Sequence, residues 1–370
     1  MMLLGFIFYA FIAIVIIQAH FYILFFGNFA LSKPEQPQQK NISISVIICA
    51  KNEAHNLNLF LKSIIEQDYP NFEIVLINDS SKDDTLKIIE DFSKLHNNIK
   101  IVNVRSTETF WGNKKYALTL GIKASKNDYL LFTDADCKPV SKYWIREMSS
   151  HFNNQKSIVL GYGAYSKTKN SFLNKLIRYE TLITAVNYFS FAKVGLPYMG
   201  VGRNLAYTKN VFFKANGYVN HMNVLSGDDD LFINQIASKK NTAISISQKS
   251  FTESIPKTTF KDWYIQKRRH VSTAKYYKLK HKILLSLLYT SNLLFWILSI
   301  ILFKNLFYWK IVLGLFFFRI VIQYVIILKT SKKLNETGLI FLLPILEIFL
   351  IITQLTIFIN NLISKPNHWK

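Results

Sequence analysis

Long apolar runs decide what this chain can become, because each comes close to the ~20 residues needed to cross a bilayer core. One opens the sequence, from Leu3 to Phe26, and three close it, Ile283 to Phe303, Leu306 to Leu328 and Gly338 to Ile363. They bracket a stretch of different pattern, so the sequence predicts a folded domain tethered by an N-terminal span and three C-terminal ones. Hydrophobic residues make up 50% of the chain and 30 residues are Phe, which argues against a purely soluble protein.

The opening run lacks a basic leader and a small-residue cleavage site, and reads as a retained anchor. Polar residues inside the runs need partners: Gln18 and His20 read as packing or interfacial groups, and Lys310 as a snorkelling cation. Arg319 and Glu347 lie deep in their spans and are expected to pair. Lys33, Lys40, Lys280 and Lys282 flank the central region, and Lys329, Lys332 and Lys333 mark the last connection. Short basic loops stay cytoplasmic, so both termini are expected outside and the central domain inside, with Lys365 and Lys370 weighing slightly the other way. The formal net charge of +22 is spread over the domain and its membrane-facing edges, which favours anionic lipid and phosphate-bearing substrates over nucleic acid. Cys49 and Cys137, each at the end of a predicted strand, are expected to be reduced packing residues.

Between about Asn41 and Lys282 strands alternate with helices. Ile44 to Ala50, Phe72 to Ile77, Ile99 to Val104 and Tyr129 to Thr133 read as strands; the helical segments between them begin near Leu57, Leu86 and Lys114. This order predicts an α/β fold with a mostly parallel sheet, whose ligands bind outside the carboxyl ends of the strands. The polar motifs fall at that edge. Lys51, Asn52 and Glu53 follow the first strand, Asn78 and Asp79 the second, and Asp134 and Asp136 the fourth. There is neither a GxGxxG after the first strand nor a Walker A sequence, so a glycine-rich loop does not carry phosphate here. A carboxylate pair can do so through a hard divalent cation, which points to Mg²⁺ or Mn²⁺.

Taken in order, Ala50-Lys51-Asn52-Glu53, Asn78-Asp79, Gly112-Asn113-Lys114-Lys115, Asp134-Ala135-Asp136, Asp228-Asp229-Asp230-Leu231 and Gln266-x-x-Arg269 resemble a membrane-bound family 2 glycosyltransferase with the GT-A fold. The resemblance covers about Ser43 to Tyr277. It implies an inverting transfer from a nucleotide-diphosphate sugar, a UDP-sugar above all, to a lipid or glycan acceptor. It also implies a bacterial inner-membrane location with the catalytic domain cytoplasmic. On this resemblance Asp228 would be the general base and Asp136 the metal ligand. Ala50, Glu53, Asp79, Lys114, Lys115, Asp134, Gln266 and Arg269 would bind the donor, while Gly202, Arg203 and Asp229 would face the acceptor. Residues 1–28 would anchor the chain, 41–255 form the transferase domain, 256–282 an amphipathic interfacial segment and 283–363 the three remaining spans.

Two departures from the family pattern matter. Gly227 stands where Glu is common, and His270 stands where processive synthases carry Trp, which favours single transfer. A processive polysaccharide synthase and a membrane protein that binds a nucleotide sugar without turning it over are the rival readings. On α-helical grounds Trp263, Tyr264, Tyr276 and Tyr277 are expected as interfacial aromatics.

Overall fold

The computed structural model describes residues 1–35, 37–105 and 114–364; Gly112, Asn113, Lys365 and Lys370 lie outside them. The opening helix, Met2–Leu31, consists of α1 (Met2–His20), a π-helical stretch Phe21–Phe26 and α2 (Gly27–Leu31). The domain then begins with β1 (Ile44–Ala50), α3 (Ala54–Ile65), β2 (Phe72–Asp79), α4 (Thr85–Leu95), β3 (Ile99–Val104), α5 (Lys114–Ala124) and β4 (Tyr129–Asp134). This is the expected alternation, and β1 and β3 have the bounds read from the sequence. It continues through β5 (Cys137–Pro139), α6 (Trp144–Ser150), β6 (Ile158–Leu160), β7 (Gly163–Tyr165), α7 (Phe172–Lys193), β8 (Leu205–Thr208) and α8 (Lys209–Lys214). Next come α9 (Asp230–Ile236), β9 (Thr242–Ile244), β10 (Thr252–Ser254) and α10 (Phe260–Val271), and α11 (Leu279–Lys304), α12 (Trp309–Lys333) and α13 (Leu343–Ile363) close the chain.

The main sheet has the order β3-β2-β1-β4-β8-β6-β9, and only β8 runs against its neighbours. A second sheet, β5-β10-β7, lies beside it. Near-complete burial of β1 explains its continuous apolar run: Val46 and Ile48 pack with Leu57, Leu61 and Ile64 of α3, while Ile47 packs with Ala117, Leu118 and Ile122 of α5. Gly121 lets α5 press onto β2, since a Cβ there would stand 2.2 Å from Ile77 Cδ1. Register then aligns the chemistry. Ala50 pairs with Asn78, and Cys49 pairs with both Ile77 and Asp134, so the polar ends of β1, β2 and β4 share one edge.

Among the described residues four helices are long and apolar enough to cross a membrane: Met2–Leu31, Leu279–Lys304, Trp309–Lys333 and Thr337–Ile363. Their polar residues converge as the sequence suggested. Arg319 Nη2 lies 2.6 Å from Glu347 Oε1, Arg319 also bonds Gln18 and Gln323, and Gln18 Nε2 donates to Ser291 O at 2.7 Å. All four helices contribute to this hub. The domain is fastened to the bundle by a buried ion pair of Arg178 on α7 with Glu336, and Lys333 at the end of α12 closes onto the first span by donating to the carbonyls of Phe29 and Ser32.

Candidate active site

Two loops form the first wall. Asn52 and Ser80, just past β1 and β2, adopt left-handed φ of 55° and 54° and turn the chain back on itself. The loops are laced together: Asn52 N donates to Ser81 Oγ at 3.0 Å, Lys82 N to Asn52 Oδ1 at 2.8 Å, and Glu53 N to Thr85 Oγ1 at 2.8 Å. Ala50, Glu53 and Asp79 are all buried there. Glu53 accepts from Asn56 Nδ2 at 2.5 Å. Asp79 Oδ2 accepts no hydrogen bond among the described residues and stands 3.8 Å from Lys51 Nζ; burial pushes its carboxyl above the ordinary range.

Across the edge, Lys114 at the start of α5 joins two motifs that are distant in sequence. Its Nζ lies 2.8 Å from Asp134 Oδ1 and 3.1 Å from Asp228 Oδ2. A cleft of about 310 Å³ opens here, lined by Cys49, Lys114, Asp134, Gly202, Asp228 and Asp229 among others. Lys115 points elsewhere. It is fully buried and donates to the carbonyls of His221, Val224 and Ser226 at 2.7, 2.8 and 2.8 Å, gripping the segment that leads into the acidic turn. Burial lowers its pKa to about 8, outweighing the opposing charges of Asp228, Asp230 and Asp229.

Gly227 explains its own departure from the family pattern: its φ is +97°, and a Cβ would sit 2.5 Å from Leu231 Cδ1. Burial tends to raise the pKa of Asp228, but the charge and hydrogen bond of Lys114 outweigh it and hold the carboxyl below its usual range. Asp229 caps α9, accepting from Asp230 N at 2.7 Å and, across the cleft, from Gly202 N at 2.6 Å. Burial and the flanking Asp228 and Asp230 push Asp229 up to about 7. Asp230 begins α9, buried, and accepts from Thr273 Oγ1 and from Tyr277 Oη at 2.6 Å. Two residues just past α10 therefore bolt the acidic turn in place. Sequence reasoning missed both, and it took Tyr277 and Trp263 for interfacial aromatics; they are buried in protein, whereas Tyr276 is exposed.

Asp134, Asp136 and Cys137 offer ligand atoms within 4.8 Å of one another. The thiol, 2.8 Å from Ser254 Oγ, is pushed well up by burial and stays protonated, so the usable donors are carboxylate oxygens. That set fits a hard cation such as Mg²⁺ or Mn²⁺. Arg203 lies beside it, its guanidinium 4.3 Å over the Tyr165 ring and its Nη1 2.9 Å from Ala164 O. Gln266 and Arg269 stand half-buried on α10, where the neighbouring Arg268 ties the helix to α13 through Asn361 Oδ1 at 3.1 Å.

A mostly parallel sheet with an Asp-x-Asp at its carboxyl edge and an acidic turn at the same cleft is a GT-A-like arrangement. The family model "Glycosyl transferase family 2" matches residues 45–216, from β1 to just past α8. It is 34% identical over 117 residues to an uncharacterized glycosyltransferase of Haemophilus influenzae, covering 31% of this chain and 34% of that protein. It is 35% identical over 111 residues to a poly-beta-1,6-N-acetyl-D-glucosamine synthase of Staphylococcus epidermidis, covering 30% and 25%. The matched segment thus spans about a third or less of these relatives. The probable glycosyltransferase YdaM of Bacillus subtilis is 26% identical over 325 residues, 85% of this chain and 73% of that one. Among solved structures, the mannosyltransferase PcManGT from Pyrobaculum calidifontis, in complex with GDP-Man and Mn²⁺, shares the fold. Its TM-score is 0.58 at 19% identity, covering 87% of this chain and 98% of that one.

Proposed function

We propose that the protein transfers a sugar, with inversion, from a nucleoside-diphosphate sugar to an acceptor hydroxyl at the cytoplasmic face of a cell membrane. The observation that supports this reading is the Lys114 bridge: one ammonium pairs with Asp134, the proposed donor-side carboxylate, and with Asp228, the proposed base, at the lining of one cleft. Asp79, with Ala50 and Glu53, would hold the nucleoside; Lys114, Asp134, Gln266 and Arg269 would hold the diphosphate and sugar. Lys115 serves from beneath by fixing the approach to the acidic turn. Gly202, Arg203 and Asp229 would border the acceptor.

Asp228 accepts the proton of the acceptor hydroxyl, the oxygen forms its bond to the anomeric carbon, and the bond from that carbon to the diphosphate breaks with its electron pair. A divalent cation held by Asp136 and Asp134 would supply offsetting charge to the leaving diphosphate. Arg269, permanently charged and forked, suits the same task. Residues 41–255 would form the transferase domain and 256–282 its interfacial segment. Single transfer is favoured over extrusion of a polymer because Gln18, Arg319, Gln323 and Glu347 bond one another at the centre of the bundle.

The test uses full-length protein with a panel of nucleotide sugars, UDP-sugars first, and a lipid extract as acceptor source. A glycosylated product that needs Mg²⁺ or Mn²⁺ supports the reading. Tight donor binding with no turnover on any acceptor would instead support a binding module.

A further inference from the structure

The basic run Lys267-Arg268-Arg269 on α10 points three ways, because successive residues of an α-helix are turned by about 100°. Gln266 and Arg269, three residues apart, share one face. Gln266 Oε1 on that face is buried and has no hydrogen-bond partner among the described residues, which suits a hydroxyl brought by a ligand. Lys267 and Arg268 turn to other helices, and their hold decides how far that face is rotated.

The two fastenings differ in kind. Arg268 spreads its grip on the end of α13 over Asn361 Oδ1 at 3.1 Å, the carbonyls of Asn360 and Ser364 at 3.2 and 2.9 Å, and Ser364 Oγ at 2.9 Å. Tyr264 adds to it by accepting from Asn360 Nδ2 at 2.6 Å. Losing one of these contacts leaves the others. Lys267 instead relies on one carboxylate: its Nζ lies 2.5 Å from Glu180 Oε2 on α7, with the two side chains 12% and 13% exposed. Glu180 is itself held in place, since Thr184 Oγ1 donates to its Oε1 at 3.1 Å, and α7 is anchored through the buried pair of Arg178 with Glu336. The charged contact between α7 and α10 is thus a single, well-supported ion pair one residue from Gln266 and two from Arg269.

We infer that Glu180 is a positioning residue for the transferase: through Lys267 it sets the rotation of α10 that presents Arg269 to the donor diphosphate. The inference rests on the proposed donor role of Arg269, and Glu180 acts through Lys267 without touching substrate.

Calorimetric titration of the full-length protein with UDP and UMP, and with GDP and GMP, isolates the effect, because the members of each pair differ only by the second phosphate. Glu180→Gln should weaken the diphosphate about tenfold, the low end of what a hydrogen bond to a charged group is worth, and leave the monophosphate within about twofold. That variant strands the Lys267 ammonium, so Glu180→Gln combined with Lys267→Met, which removes both charges, should show the same selective loss with a melting temperature near that of wild type. Lys267→Arg keeps the pair and should keep diphosphate affinity near wild type. Equal weakening of diphosphate and monophosphate, or wild-type diphosphate affinity in the double variant, would overturn the inference and leave Glu180 a structural group. A wild-type protein that binds neither diphosphate would instead remove the nucleotide-sugar reading of the site, and the inference with it.

Discussion

Lys114 holds Asp228 by an ion pair of 3.1 Å, so the group proposed as base has a cation as its direct partner. Burial opposes ionisation of Asp228, and it is Lys114 that keeps the carboxyl below its usual range. Lys114→Gln should then move the acid limb of the rate profile toward neutral pH, because the base must be ionised to work. It should also weaken donor binding through the loss of Asp134's partner. The check is kcat/KM against pH for both proteins; superimposable acid limbs would remove Lys114 from control of Asp228.

Asp229 gives a stability signature of opposite sense. Its folded pKa of about 7 exceeds the ~3.9 of an unfolded aspartate. The native state therefore binds the extra proton between those values, and the contribution is lost as pH rises through that window. Between about pH 4 and pH 7 the melting temperature of wild type should fall relative to that of Asp229→Asn, and the difference should level off above that window. Parallel pH curves for the two would show that Asp229 ionises normally in the fold.

Much of this fold could be read from the chain because its determinants are local. The apolar run Ile44–Ala50 is continuous since β1 is covered on both faces, and its shortness and β-branched residues set it apart from a buried helix. Helix α7 escaped notice for the opposite reason: it is buried nearly all round, with Leu176, Ile177, Tyr179 and Leu182 all inside, so no stripe marks its period. The strands of the small sheet are three residues each, too short to alternate visibly. In the site, motif residues were legible, but their division of labour was not. Lys114 and Lys115 are neighbours of one chemical type, and only helix rotation sends one to carboxylates and the other to carbonyls. Thr273 and Tyr277 belong to no motif, and their contact with Asp230 is purely tertiary.

For the cation, Asp136→Asn should abolish metal-dependent donor binding while leaving the melting temperature near that of wild type. Chelation of the wild-type protein should reproduce the effect. Calorimetric titration of nucleotide sugar, with and without Mn²⁺, decides it; equal affinity in all four conditions would dismiss a metal role for Asp136.

The membrane hub predicts asymmetry between single and double substitutions. Arg319→Leu strands the Glu347 carboxylate inside the bundle, and breaking a buried pair this way costs about 3–5 kcal/mol. Replacing both with Leu removes the stranded charge and should recover most of that loss. Thermal unfolding in detergent would reveal the difference, and a double variant no more stable than the single would mean that the hub contributes by hydrogen bonding to Gln18 and Gln323.

The acidic turn offers the sharpest separation of chemistry from scaffolding. Asp228 and Asp229 line the cleft, but Asp230 does not; its oxygens are committed to Leu231 N at 2.7 Å and to the hydroxyls of Thr273 and Tyr277. Asp228→Asn keeps the shape and loses the proton acceptor, so transfer should fall by about 10²–10⁴ with donor affinity little changed. In Asp230→Asn one oxygen is replaced by an amide that cannot accept, which should cost about 1–3 kcal/mol of stability and only a modest factor in rate. Single-turnover rates paired with melting temperatures distinguish the two sites. A large rate loss at Asp230 with normal stability, or undiminished transfer in Asp228→Asn, would move the base away from Asp228.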